Sequence, residues 1–223
     1  MRNTILFFLL LVSTFTVNAQ KDSLQLGDRY ADDQLYLSVS YAQFLNQPQP
    51  ITRSGFSYGL STGFIKDIIL NKRGNISIAT GVGYGFDFFN HKLKVEEING
   101  NTIFSSSPSS SNVFKSHNLE FPIELRWRTS TARKYSFWRI YGGVKFLYNF
   151  SNTFKVEENS TVAKYKNISN YNNFQYGLTL SAGYDEFNIN VFYSLRPIFN
   201  NATISGEDIN TSILKFGFIF YIL

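Results

Sequence analysis

Two histidines, His91 and His117, flank a polar stretch, and Glu120 follows three residues after the second. Two imidazoles and one carboxylate form a donor set that can hold a zinc ion with an open position. A hairpin between the flanking segments would bring the histidines near each other. The side-chain phase opposes a shared site: His117 alternates with the apolar residues Leu119 and Phe121, whereas Glu120 falls on the other face. A Ser-His-acid triad is equally thin, because serine is so abundant that a chance match carries no weight. The chain has no cysteine, which removes thiolate catalysis, disulfides and cysteine-held metal. No catalytic, cofactor-binding or metal-binding residue is assigned. The expectation is a non-enzymatic protein with no cofactor and no small-molecule substrate.

The other ionisable residues follow a pattern. Asp87, Glu120, Glu124, Arg126, Arg128, Arg139, Lys145, Arg196 and Lys215 lie in apolar-alternating segments, each in the phase opposite the large apolar residues. Carboxylates and cations sharing one face can pair across an enclosed space. Their expected role is structural, an ionic filling that plugs the interior.

The elements that carry them have a period of two. Leu35, Leu37, Val39 and Tyr41 oppose Ser38, Ser40 and Ala42. Phe56, Tyr58, Leu60 and Phe64 oppose Ser57, Gly59, Ser61 and Gly63, and Ile76 to Phe88 sets apolar residues against Gly, Ser, Ala and Asp87. The fourth segment, LEFPIELRWR, sets Leu119, Phe121, Ile123, Leu125 and Trp127 against Glu120, Glu124, Arg126 and Arg128. Its Pro122 cannot donate to a ladder, so a bulge or a missing hydrogen bond is expected there. Four more segments, around 138–148, 174–184, 188–196 and 214–222, repeat the pattern, with Phe192, Ile219 and Tyr221 blurring the polar face.

Eight such segments, with connections alternating long (43–55, 90–115, 149–172, 198–211) and shorter (66–75, 129–136, 185–187), match an eight-stranded antiparallel transmembrane β-barrel. A soluble barrel of the lipocalin type needs an apolar interior. Here the bulky residues outnumber what eight strands can enclose, and the opposite face is small and charged. The expected fold is therefore all-β and inside out, with a closed lumen and long extracellular loops. A solute channel is disfavoured, since aqueous pores use about twice as many strands.

The first residues read as export. MRNTILFFLLLVSTFTVNAQ has a basic start at Arg2, an apolar run from Ile5 to Val12 and small residues up to Ala19, as in a signal peptide spanning 1–19. Residues 20–223 then form the barrel domain, multi-pass in the outer membrane and surrounded by its lipid. No later stretch supplies the roughly 20 apolar residues of a membrane helix. The formal charge of +5 is dispersed rather than gathered in a tract, so nucleic acid is not an expected partner. The 23 Phe, 14 Tyr and 2 Trp are more than a mildly apolar chain needs for a core, and suit lipid contact and interfacial girdles.

With the lumen filled, activity falls to the loops, wall and rims. Lys94-Val95-Glu96-Glu97 recurs as Lys155-Val156-Glu157-Glu158, at the same place after a strand. Each is expected to continue its strand above the membrane into a polar hairpin. The likeness reflects either a shared partner surface, through Lys94, Glu96, Glu97, Lys155, Glu157 and Glu158, or similar hairpin chemistry. The run SSSPSSSN after the first is expected to be a mobile, solvent-facing tip.

GDRYADDQLYLSVSY, GFIKDIILNKRGNISIATGVGYGFDFFNHKL, SHNLEFPIELRWR, YGGVKFLYNF and YGLTLSAGYDEFNINVFYSL together resemble the PorT (also called SprT) family of outer-membrane barrels from Bacteroidetes. The resemblance covers nearly all of the mature chain. It implies an accessory role in the type IX secretion system, supporting export and maturation of cargo and of gliding-motility adhesins, with other secretion components as partners. No catalytic motif comes with it. Its signature is structural: Leu119, Glu120, Phe121, Pro122 and Glu124, and Gly183, Tyr184 and Asp185 at a turn. The alternative is a small barrel with its own lipid-modifying or adhesive activity.

Overall fold

The structure, a computed structural model, describes residues 34–48, 51, 55–98, 100–106, 111–129, 138–158, 160–185 and 187–222. The segment 1–19, expected to be a signal peptide, and the Ser-rich tip at 107–110 lie outside these residues. Eight long strands form the wall: β1 (Gln34–Leu45), β2 (Tyr58–Ile69), β3 (Ile76–His91), β4 (Ser111–Arg128), β5 (Trp138–Glu158), β6 (Phe174–Tyr184), β7 (Phe187–Ser194) and β8 (Ser212–Ile222). Every neighbour is antiparallel, and β1 pairs with β8 from Leu35↔Ile222 to Leu45↔Ser212, so the eight-stranded wall closes on itself. Closure is what hydrocarbon demands of backbone N–H and C=O groups. Among the described residues no helix is long and apolar enough to cross a membrane.

The period of two sorts the wall into faces as expected. On β1, Leu35, Leu37 and Val39 are about half exposed, while Gln34, Tyr36, Ser38 and Ser40 are buried. Moving sideways through the ladders from Leu35 and Phe64 around the wall returns to β1 at Leu45, a stagger of about ten residues that tilts the strands by about 40°. At that tilt the ten steps from Trp138 to Tyr148 on β5 rise about 25 Å, the height of an apolar band between two aromatic girdles. Trp127, Trp138, Tyr184 and Phe187 stand exposed at one end, and Tyr84, Tyr148, Phe150 and Phe174 at the other.

The ladder between β3 and β4 has no paired residues at Phe121 and Pro122, the missing hydrogen bonds that proline predicts. Pro122 causes no register shift. The irregularity in β4–β5 lies instead between His117 and Asn118. At the opposite end from the loops, Asp185 turns the chain between β6 and β7 with φ 56°, a left-handed conformation that Asp tolerates better than most residues.

Three strands run beyond the membrane band. β5 reaches Glu158 and folds back as Thr161–Lys166, pairing Lys155 with Lys164 and Thr153 with Lys166. Leu93–Ile98 and Asn101–Ser106 form a separate hairpin after β3. Above the lumen these extensions and the last loop close over an apolar core of Phe44, Phe89, Phe114, Phe154, Ile198 and Ile213 with their neighbours. Phe114 stacks on Phe154 with centroids 4.4 Å apart, and Phe44 on Phe89 at 4.2 Å. The mouth is thus sealed by packing, which contradicts an interior of small and charged residues alone. The girth that excludes a Phe from every inward position still admits one ring per strand where the strands rise into the loops.

Candidate functional site

Inward alternation delivers five cations and four carboxylates to the interior as buried charged side chains. They form three tiers. At the end away from the loops, Asp67 of β2 accepts from Arg126 Nη1 at 2.8 Å, Arg128 Nη1 at 2.7 Å and Ser77 Oγ at 3.1 Å. Arg126 Nε also donates to Glu124 Oε2 at 3.0 Å, and its guanidinium lies 4.5 Å from the Tyr141 ring centroid and 5.3 Å from that of Tyr221. The Arg139 guanidinium lies 5.6 Å from Tyr221. Weakly hydrated, planar guanidinium groups tolerate such stacking better than ammonium groups.

In the middle tier Glu120 accepts from Lys145 Nζ at 2.9 Å, Ser61 Oγ at 2.9 Å and the Tyr36 hydroxyl at 3.1 Å. Tyr36 reaches it because Gly63 and Gly83 face each other on β2 and β3. A Cβ at Gly83 would overlap the Tyr36 hydroxyl, so glycine here makes room for the ring. In the upper tier Asp87 pairs with Lys215 and accepts from Asn118 Nδ2 at 3.2 Å. Removing such charges from water costs several kcal/mol per ion, offset when each ion is paired and further hydrogen bonded. Three pairing tiers beneath a sealed apolar cap fill the lumen.

Of the residues expected in this network, Asp87, Glu120, Glu124, Arg126, Arg128, Arg139, Lys145 and Lys215 are buried inside. Arg196 is not among them. It follows the end of β7, half exposed, and its Nη1 donates to the Phe174 carbonyl at 3.0 Å. Asp67, the acceptor shared by two arginines, is the residue the sequence reading missed. It lies in GFIKDIIL, read as a connection from 66 onward, although β2 continues to Ile69. The surplus of Arg126, Arg128 and Arg139 over Glu124 at that end was the available signal for another inward carboxylate.

The histidines separate. His91 is buried inside the cap, edge-on to Phe44 at 5.7 Å, and burial lowers its pKa to about 4. His117 faces out, its Nδ1 2.6 Å from the Tyr84 hydroxyl and its ring 5.1 Å from Phe86. Among the described residues no group of three His, Cys, Asp or Glu is placed to hold a metal ion.

The repeated Lys-Val-Glu-Glu segments meet. Lys94 Nζ lies 3.0 Å from Glu158 and 3.2 Å from Glu96, joining one repeat to the other. Those bonds, Glu158 first and Glu96 second, raise the Lys94 pKa. Lys155 lies 2.7 Å from Glu157, and that hydrogen bond lowers the Glu157 pKa. Glu97 sits near the hairpin end, paired across to Thr102. Val95 belongs to the apolar cap, and Val156 is buried on its own strand. In both repeats the valine is buried and the flanking charges remain at the surface.

A closed barrel with a lipid-compatible wall, girdles and a plugged interior is the signature of one setting. The sequence matches the family described as outer membrane protein β-barrel domain over residues 18–200. The chain belongs to that family. It is an outer-membrane protein, and the exposed wall of Leu, Ile, Val and aromatic residues faces lipid. No match was found among curated proteins. Among solved structures, Ail, the attachment invasion locus protein of Yersinia pestis, is similar across 88% of this chain and 100% of its own, at 10% identity and a TM-score of 0.31.

Proposed function

We propose that this outer-membrane barrel is a non-enzymatic component or assembly factor of the type IX protein secretion system, supporting export and maturation of cargo and of gliding adhesins. It reaches the membrane through the signal peptide at 1–19 and acts through other components of that apparatus. The observation that carries a binding role is the filled interior: three ionic tiers and an apolar cap leave only wall, rims and loops to engage anything. The resemblance of SHNLEFPIELRWR and YGLTLSAGYDEFNINVFYSL to the PorT family supports the choice of apparatus.

Deletion of the gene, followed by a census of surface and secreted proteins, tests it. Loss confined to proteins bearing the C-terminal export domains of that system is the expected result. An unchanged census, or altered membrane lipid chemistry with secretion intact, would overturn the proposal and favour an independent lipid-modifying or adhesive role.

A further inference from the structure

The ladders gather lysines on one outward sector of the wall. Lys155 of β5 stands directly opposite Lys164, and Thr153 opposite both Lys115 of β4 and Lys166. Residues directly opposite share a face, so these four ammonium groups occupy two adjacent rows, with neighbours about 5–8 Å apart at the Cα level. Lys115, Lys164 and Lys166 are exposed, and Lys115 Nζ sits 5.7 Å from the Phe88 ring centroid. One row further out on the same face stands Glu157, paired to Lys155. Like charges directly opposite destabilise a sheet. The opposition of Lys155 and Lys164 across the ladder is thus a local cost that an external anion would reduce.

Height identifies the anion. Phe88 lies in the row of Lys115, and immediately below, on the same face, lie Phe86, His117, Phe150 and Tyr84, an aromatic belt in mutual contact. Such a belt marks the boundary between hydrocarbon and headgroups. The lysines stand about two to four residues above it, and long lysine stems bend toward a headgroup layer.

We propose that the outward face of β4, β5 and Thr161–Lys166 binds the phosphate groups of a phosphorylated outer-leaflet lipid. Phe88 and Phe150 lie against its acyl chains and Lys115, Lys155, Lys164 and Lys166 hold its headgroup. This site stands independently of any role in secretion.

The full-length mature protein, refolded in neutral detergent, is titrated with bisphosphorylated lipid A and with enzymatically dephosphorylated lipid A, and bound lipid is counted by native mass spectrometry. The expected result is at least tenfold tighter retention of the phosphorylated form, abolished in Lys115→Gln/Lys164→Gln/Lys166→Gln. The single change Lys164→Gln, which relieves the opposed pair and so preserves the fold, is expected to weaken retention severalfold by itself. Equal retention of both lipids, or full retention by the triple variant, would overturn the proposal. Selective capture of polyglutamate with no preference between the lipids would overturn it in favour of an acidic protein partner.

Discussion

Asp67 offers the sharpest test of how the lumen is held together. Replacing it with Asn keeps the volume but removes the charge shared by Arg126 and Arg128. Breaking a buried ion pair by removing one partner costs about 3–5 kcal/mol. The lower end applies, because Arg126 keeps Glu124 and Gln34, and Arg128 keeps the Gly74 carbonyl at 3.1 Å. About 3 kcal/mol corresponds to roughly a hundredfold change in the unfolding equilibrium. Urea titration of the barrel in lipid vesicles reads it through Trp127 and Trp138, whose rings face lipid and leave it on unfolding. Adding Arg128→Met to Asp67→Leu is expected to recover at least about 1 kcal/mol, since the double change removes both charges rather than stranding one. An Asp67→Asn barrel within about 0.5 kcal/mol of the parent, or strict additivity in the double variant, would refute a coupled lumen network.

Gly83→Ala is expected to displace Tyr36 from Glu120 and cost about 1–3 kcal/mol in the same titration. Phe114→Ala removes the ring that stacks on Phe154 and Phe89, costing about 3–5 kcal/mol in the cap; its readout is faster proteolysis of the outer loops with the membrane wall intact. The pKa of His91 is lower folded, at about 4, than unfolded, at about 6.5, so the unfolded chain binds its proton more readily between those values. Cap stability from this residue is therefore full above pH 6.5 and lost as pH falls toward 4, by about 2 kcal/mol at pH 5, and loop protection should be pH-independent over that range in His91→Phe. Leu178→Arg, on the lipid face near the middle of β6, is expected to cost about 2–4 kcal/mol in vesicle refolding, against little for a change at an exposed loop position such as Asn210.

The wall was legible because lipid outside and a narrow lumen inside force a strict period of two: Leu35, Leu37 and Val39 had one solution. The inward Glu and Arg of β4 followed from the same alternation. Asp67 escaped because LysAspIleIle has weak local contrast, Ile65 pointing in and Ile68 out, and a strand end is set by its neighbours as much as by its own residues. The cap escaped for a different reason. Phe44, Phe89, Phe114 and Phe154 keep the inward phase, but above the membrane band that phase holds apolar side chains, so the face reverses character while the period continues. Ile198 and Ile204, in the last loop, join that core through contacts remote in sequence, which no local pattern encodes. Arg196 shows the converse: the phase was right, but β7 ends at Ser194, and beyond the ladder alternation no longer fixes direction.

That the interior is a filled scaffold rather than a conduit bears most directly on where this protein acts. Single-channel recording of the refolded barrel in planar bilayers puts the question to the molecule. Among the described residues Arg126, Arg128 and Asp67 below and the Phe114 cluster above obstruct the lumen, so the membrane current is expected to stay at baseline across the full voltage range. Discrete, reproducible conductance steps from the parent protein would contradict the filled lumen and return the function to transport through it.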